Sequence, residues 1–272
     1  MERIAFGISR LDKTLQGGAP PGSVVLLSGE AGAGAREFMH TAAVLNGVKQ
    51  VNEEQFNLHY GRLPENATMA DEIHYLSFTA DRAQFEQEVK LSMEDKLASE
   101  GLAQVNFESL APRYFQKSPV PQEWYADAGE SPAHSATLLD VFAETLNEHA
   151  EGNLVIIDSL SDLIDTTGHE LNWVDIIYFL KGLRSVAHDW GGLVLVHVDH
   201  EAITDVQHGQ LVDSCTGAFT FSWATGGSVL ARTLVLRSFQ GVLSRISEDD
   251  LVEFETELGD GGFGISDVRK IR

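Results

Sequence analysis

Lysine and cysteine are scarce in this sequence, and long apolar runs are missing. Cys215 stands alone, so the chain has neither an internal disulfide framework nor a thiolate metal site of its own, and we interpret Cys215 as a small buried side chain. No apolar run reaches the roughly 18 residues of a membrane span, and the first ten residues, MERIAFGISR, lack the apolar centre of a signal peptide. We therefore expect a soluble cytoplasmic protein.

Basic residues are few as a whole. Seven lysines and twelve arginines face 41 acidic residues, which gives a net charge of −22. Because hydrophobic residues still make up 43% of the chain, this composition predicts a folded protein of a high-salt cytoplasm rather than a disordered acidic chain. Binding to nucleic acid requires basic patches, and no such run is present, so the sequence disfavours a nucleic-acid partner. Molar salt would weaken this argument by screening the repulsion.

A glycine-rich stretch, GEAGAGAREF, resembles a phosphate-binding loop of the pattern G-x-x-x-x-G-K-[ST]. In that pattern the backbone N–H groups surround phosphate oxygens, and the following helix N-terminus favours negative charge. Ala35 stands where the lysine belongs, and Arg36 stands where the Ser/Thr ligand of Mg²⁺ belongs. We expect weak binding of ATP or ADP at most, with no Mg²⁺ held in the usual way. The predicted phosphate-binding residues of this loop are Gly29, Glu30, Ala31, Gly32, Ala33, Gly34, Ala35 and Arg36.

Two interpretations of Arg36 remain open. Successive helical positions differ by about 100°, so Arg36 does not take the direction of the missing lysine and instead projects toward the metal position. Its guanidinium could replace the metal and bind phosphates in a bidentate manner. Alternatively, it is a solvent-facing arginine paired with Glu37 or another acid nearby.

Apolar runs and helical patterns alternate along most of the chain, which predicts an α/β fold with a mainly parallel central sheet flanked by helices. Closely spaced extended segments near the C-terminal end predict antiparallel strands appended to that sheet. We expect a single domain over residues 1–272. Residues 52–71 and 112–132 are interpreted as surface insertions, and residues 81–100 as an exposed amphipathic helix.

The segment NLVIIDSLSDL places an acid after a strand that is predicted to be buried on both faces. Asp158 and its neighbour Ser159 are candidate site residues, because they follow the glycine loop in the chain order that a phosphate site requires. His197 and His200 face opposite sides of an extended strand, so we do not expect them to bind a metal. His197 remains a candidate polar sensor at the end of its strand.

Several motifs in order resemble the KaiC-like branch of the RecA-type P-loop ATPases, and haloarchaeal HTR-like proteins within it. They are FGISRLDKTLQGGAPPGSVVLLSGEAGAG, then LVIIDSLSDL, which resembles a Walker B strand, and LVLVHVDH, which resembles a later sensor strand. The resemblance runs from about Phe6 to the final strands and implies a RecA-like fold. It also implies sites shared between neighbouring subunits, so a dimer or a ring is compatible with it.

The resemblance does not extend to the catalytic positions. The family places two glutamates after its second strand, where this chain has Thr79 and Ala80, and neither side chain can act as a general base. Asp81 follows them, and we interpret it as a helix cap. Arg237 is matched loosely to a lysine that the family supplies across subunits, and Phe239 to the corresponding arginine.

These departures predict a catalytically impaired RecA-like protein that acts as a regulatory or signalling interaction module. Its partner is an unidentified protein, for which residues 52–71 offer a candidate surface. The alternative is an active ATPase with an atypical loop, in which Arg36 replaces the lysine and magnesium. A recombinase-like DNA binder is disfavoured by the acidic charge.

Overall fold

The computed structural model describes residues 2–125, 137–166, 171–224, 231–243 and 253–269. The strands in these ranges are β1 Arg3–Ile4, β2 Ser23–Gly29, β3 Ala67–Thr68, β4 Ile73–Ser77, β5 Val105–Ser109, β6 Leu154–Asp158, β7 Leu193–Asp199, β8 Gly217–Ala224, β9 Ala231–Phe239, β10 Glu253–Gly259 and β11 Gly262–Arg269. The α-helices are α1 Ser9–Thr14, α2 Ala35–Val51, α3 Glu53–His59, α4 Arg82–Ser92, α5 Asp95–Leu102, α6 Ala111–Tyr114, α7 Leu138–His149, α8 Leu160–Asp165, α9 Trp173–Trp190 and α10 Asp205–Ser214.

A nine-stranded sheet forms the centre, in the order β11-β10-β9-β8-β2-β7-β6-β4-β5. The pairs from β8 through β2, β7, β6 and β4 to β5 are parallel, whereas β8, β9, β10 and β11 pair antiparallel. The predicted α/β fold with appended antiparallel strands is therefore confirmed. Because parallel strands end at one edge, this order brings the carboxyl ends of β2, β7, β6 and β4 together.

The core lies in two layers, one on each face of the sheet. Every residue of β2 is buried, as a strand covered on both faces requires. One layer packs the sheet against α2, α3 and α5, and the other packs it against α7, α8 and α9. Within the described ranges, no helix is long and apolar enough to cross a membrane.

Local signals in the sequence set several helix boundaries. Asp81 begins α4 with a capping box, in which its side chain accepts the N–H of Gln84 and the Gln84 side chain accepts the N–H of Asp81. This satisfies two of the N–H groups that a helix N-terminus leaves without partners. Gly191 ends α9 in a left-handed conformation, which glycine adopts without strain. The capping role expected for Asp81 is thus observed.

Residues 52–71, interpreted from the sequence as a surface insertion, contain α3 and β3 and are buried in part. β3 pairs with β1. Phe56 is fully buried and stacks on Tyr60 at 4.7 Å. The Tyr60 hydroxyl donates to buried Asp12 at 3.0 Å, so this segment holds the N-terminal region in place. Because the segment is mostly polar, its sequence did not indicate that Phe56 and Tyr60, four residues apart, share one face of a helix.

Two further expectations differ from the structure or lie partly outside it. Residues 81–100 form two helices rather than one, because the chain is extended at Met93 between α4 and α5. Of residues 112–132, those from 112 to 125 include most of α6 and two short 3-10 helices, Phe115–Lys117 and Gln122–Trp124. Residues 126–132 lie outside the described ranges.

Candidate functional site

The glycine loop, Gly29–Gly34, connects β2 to α2 at the carboxyl edge of the sheet. It turns through a hydrogen bond from the N–H of Ala33 to the carbonyl of Glu30, at 3.0 Å. Gly32 and Gly34 have φ angles of 72° and 112°, which L side chains rarely adopt. A Cβ on Gly34 would also lie 3.1 Å from the Phe263 ring. The backbone conformation of the loop therefore depends on these glycines.

Two side chains hold the loop from outside. Trp223 donates its indole N–H to the carbonyl of Ala31 at 3.1 Å, and Arg232 donates from Nε to the carbonyl of Gly32 at 2.8 Å. The Arg232 guanidinium lies over the Trp223 ring at 4.6 Å, a cation–π geometry. These contacts attach the loop to β8 and β9.

The inner side of the loop borders a cavity of about 350 Å³, the loop cavity. Seven of the eight loop residues predicted to bind phosphate line it, and Ala33 is the exception because it is buried beneath the turn. Among the described residues that line it, the charged side chains are Glu30, Glu37 and Asp199, with Arg36 as the single permanent cation. Three carboxylates against one guanidinium oppose the entry of a polyphosphate.

Asp158 ends β6 with its carboxylate almost fully engaged. The hydroxyl of Tyr75 donates to Oδ2 at 2.8 Å, and Nη2 of Arg36 donates to Oδ1 at 3.4 Å. Nδ1 of His197 lies 3.4 Å from the same Oδ1, without the alignment of a hydrogen bond. Burial raises the pKa of Asp158, but its contacts with His197, Arg36 and Tyr75 outweigh burial and lower that pKa below its usual range. Asp158 is therefore an ionised acid whose oxygens already have partners.

Arg36 lies in the first turn of α2 with about half of its side chain exposed, 49%. Its Nη1 also lies 4.0 Å from Glu88, and the nearby Asp158 carboxylate raises the pKa of the guanidinium. Of the two interpretations left open, pairing with a neighbouring acid is observed, although the acid is Asp158 and not Glu37. The same pair places a positive charge beside the acid that a metal would need.

His40 lies one helical turn after Arg36 and is 3% exposed. Neither of its ring nitrogens has a hydrogen-bond partner within the described ranges. Burial lowers its pKa to about 4, so the imidazole is neutral at neutral pH. It packs edge-on against Phe85, with ring centroids 5.8 Å apart.

A second cavity, of about 490 Å³, opens beyond the end of β4, and we call it the strand-edge cavity. Thr79 and Ala80 line it, where a general base would be required. Asp81 does not take that role, because its side chain caps α4. Glu88 also lines this cavity, so it is the carboxylate of α4 that reaches the site.

Several other predicted residues have structural roles. The Ser159 hydroxyl donates to Asp162 at 2.9 Å and begins α8, so Ser159 does not join the loop residues. Phe239 is 3% exposed and packs on Phe6 and Phe219, whereas Arg237 is exposed. Among the described residues, no cluster of His, Cys, Asp or Glu side chains could hold a metal ion.

Tyr75, His40 and Glu88 also lie at this site and were not predicted from the sequence. His40 carried a signal, because it is four residues after Arg36 and shares its helix face. No sequence signal pointed to Tyr75, because its place in the site depends on the strand register, in which it lies opposite Ile156. Glu88 depends on the path of α4, which the charge pattern alone does not set.

Comparisons with known proteins show similarity in structure but not in sequence. No protein-family model matches the chain, and no curated protein matches it. A KaiC-like protein of the hyperthermophilic archaeon Pyrococcus horikoshii superposes with a TM-score of 0.62 at 17% identity, over 98% of this chain and 99% of that one. The flagellar accessory protein FlaH of Methanocaldococcus jannaschii superposes with a TM-score of 0.59 at 17% identity, again over 98% and 99%. The chain therefore has the RecA-like α/β fold of these KaiC-like and FlaH structures.

Proposed function

We propose that this protein is a catalytically impaired RecA-like module that acts through interactions, with weak or absent nucleotide binding. The observation that carries the proposal is the engagement of Asp158, whose two oxygens already face Tyr75 and Arg36. A metal ion at this acid would have to displace the arginine. The guanidinium charge beside this acid repels a divalent cation and so opposes the usual binding of Mg²⁺ with a nucleotide.

Two further losses support this proposal. The loop is a degenerate Walker A loop, because buried Ala35 stands at the position of its lysine. Thr79 and Ala80 line the strand-edge cavity without supplying a general base, and proton abstraction from an attacking water requires one. The cradle and the fold thus persist while the groups for catalysis do not.

The rival function is an ATPase with an atypical loop, and one observation favours keeping it. Arg36 lines both the loop cavity and the strand-edge cavity, so its guanidinium can contact phosphates directly in place of a metal. Glu88 or Asp158 would then have to serve as the base. In this case nucleotide turnover would proceed without Mg²⁺.

The interaction partner we propose is a protein, in a signalling or regulatory complex, and assembly into a dimer or a ring remains part of the proposal. The acidic composition, with a net charge of −22, supports a high-salt cytoplasm of the haloarchaeal kind and argues against nucleic acid.

Phosphate release from ATP, measured with wild type and the Asp158→Asn variant in concentrated KCl, tests impaired catalysis. We expect no release above the rate without protein, with or without Mg²⁺. Turnover in the wild type that disappears in Asp158→Asn would establish the ATPase instead. Turnover that persists in Asp158→Asn is then measured with Arg36→Ala. Loss of that turnover would establish an ATPase with Glu88 as its base, and an unchanged rate would identify a contaminating enzyme.

A further inference from the structure

A third cavity, of about 560 Å³, lies beside the loop and strand-edge cavities, and we call it the hairpin cavity. Its walls come from the first two turns of α2, the last turn of α4 with the residue that follows, and the turn that joins β10 to β11. The residues that line it are Arg36, Glu37, His40, Glu88, Leu91, Ser92, Met93, Leu258, Gly259 and Asp260. Its size is in the range of small-molecule sites.

The charge of the hairpin cavity is negative. Glu37, Glu88 and Asp260 contribute carboxylates, and Arg36 is the only cation among the described residues of the wall. Arg36 is already engaged, since it contacts Asp158 and approaches Glu88. Neither Glu37 nor Asp260 forms an ion pair in the described part of the chain. A cation entering the cavity would meet carboxylates that have no counter-charge.

The wall also contains apolar side chains and a buried imidazole, that of His40. Leu91, Met93 and Leu258 line the cavity, and Leu91 is 81% exposed. The neutral imidazole of His40 forms part of the same wall, and neither of its nitrogens has a hydrogen-bond partner among the residues that the structure describes. A buried polar group without a partner is costly, and a donor that reaches it restores the lost interaction. Acceptors and apolar surface together suit a donor-rich cation with a short apolar body.

We propose that the hairpin cavity binds an organic cation, a guanidinium or ammonium group carried on a short apolar chain. The proposal rests on the proposed function in one respect, because it assigns a ligand of opposite charge to a cavity beside the loop cavity, which opposes polyphosphate. Such a cation is either a free amine or a basic side chain of a partner protein. In either case the cation lies between Glu37 and Asp260, with its apolar body against Leu91.

Isothermal titration of two probes into the full chain tests the proposal over a series of KCl concentrations. One probe is spermidine, and the other is a terminally blocked peptide with a leucine beside an arginine. The same peptide with citrulline in place of arginine is its control. The cavity variant is Glu37→Gln with Asp260→Asn, which removes two carboxylates. The matched control is Glu54→Gln with Glu144→Gln, which removes two exposed carboxylates elsewhere. Thermal melts verify that both variants are folded.

We expect saturable binding of at least one probe, about tenfold weaker in the cavity variant and unchanged in the control variant. Binding of spermidine alone would identify a free amine as the source, and binding of the arginine peptide alone a protein side chain. Absence of saturable heat with both probes at low salt would overturn the proposal. An equal loss in the two variants would also overturn it, because it would show attraction to the acidic surface as a whole. ATP titration under the same conditions reports separately on the proposed function.

Discussion

Replacing Ala35 with lysine and Arg36 with threonine should restore Mg²⁺-dependent ATP binding. The loop backbone holds Gly32 and Gly34 at positive φ angles, and we propose that it serves as a phosphate cradle. The lysine supplies the missing charge, and removal of the arginine frees Oδ1 of Asp158, which it now contacts at 3.4 Å. The threonine hydroxyl supplies the missing metal ligand.

The magnitude follows from the contact that is gained. One charge-assisted hydrogen bond to a phosphate contributes about 1.5–3 kcal/mol, which corresponds to roughly a ten- to hundredfold gain in affinity. A lysine in the first helical turn opposes the helix dipole and costs about 0.3–1 kcal/mol of stability, which does not cancel this gain.

Calorimetric titration of ATP with and without Mg²⁺ measures the gain. The control variant is Ala35→Gln with Arg36→Thr, which has similar bulk at position 35 and no charge. We expect the lysine variant alone to gain affinity, and only with Mg²⁺. No gain, or an equal gain in the glutamine variant, would refute the idea that charge is what the cradle lacks.

Three further predictions concern stability and are measured by urea denaturation. Tyr75→Phe should lower the free energy of unfolding by about 1.5–3 kcal/mol, because a buried acid loses a 2.8 Å hydrogen bond. Arg36→Ala should lower it by about 1 kcal/mol or less, because the arginine is half exposed. Equal losses in the two variants would contradict this ranking. Burial raises the pKa of Asp12 to about 7, so the folded protein binds a proton more tightly than the unfolded chain. The free energy of unfolding should therefore fall as the pH rises from about 4 to 7. Asp12→Asn should flatten that slope, and an unchanged slope would exclude Asp12 as its source. Phe56→Ala should cost about 3–5 kcal/mol, and the exposed control Leu58→Ala less than about 0.5 kcal/mol; similar small losses would mean that α3 is not part of the core.

Much of the fold was predictable because its signals are local. The apolar run that became β6 and the acid at its end were both expected, and the observed strand is Leu154–Asp158. The separation of α4 from α5 was not, because the break at Met93 has no proline or glycine to mark it. Burial of Phe56 was missed since a polar segment with few apolar residues carries a weak periodic signal.

The candidate site was predictable only as far as its motifs reach. Glycine spacing indicated the loop, and strand order placed Asp158 near it. The partners of Asp158 depend on side chains that converge from three separate elements, and no spacing in the chain encodes that convergence. Arg36 illustrates the limit, since helix geometry gave its direction but not the acid it contacts.

We propose that Asp158, because it is engaged by Arg36 and Tyr75, does not hold a nucleotide-bound metal. This is tested by titration of ATP into the wild-type protein in concentrated KCl, with and without Mg²⁺. We expect either no heat at millimolar ATP or weak saturable binding that Mg²⁺ does not change. Binding that strengthens about tenfold or more when Mg²⁺ is added would contradict it.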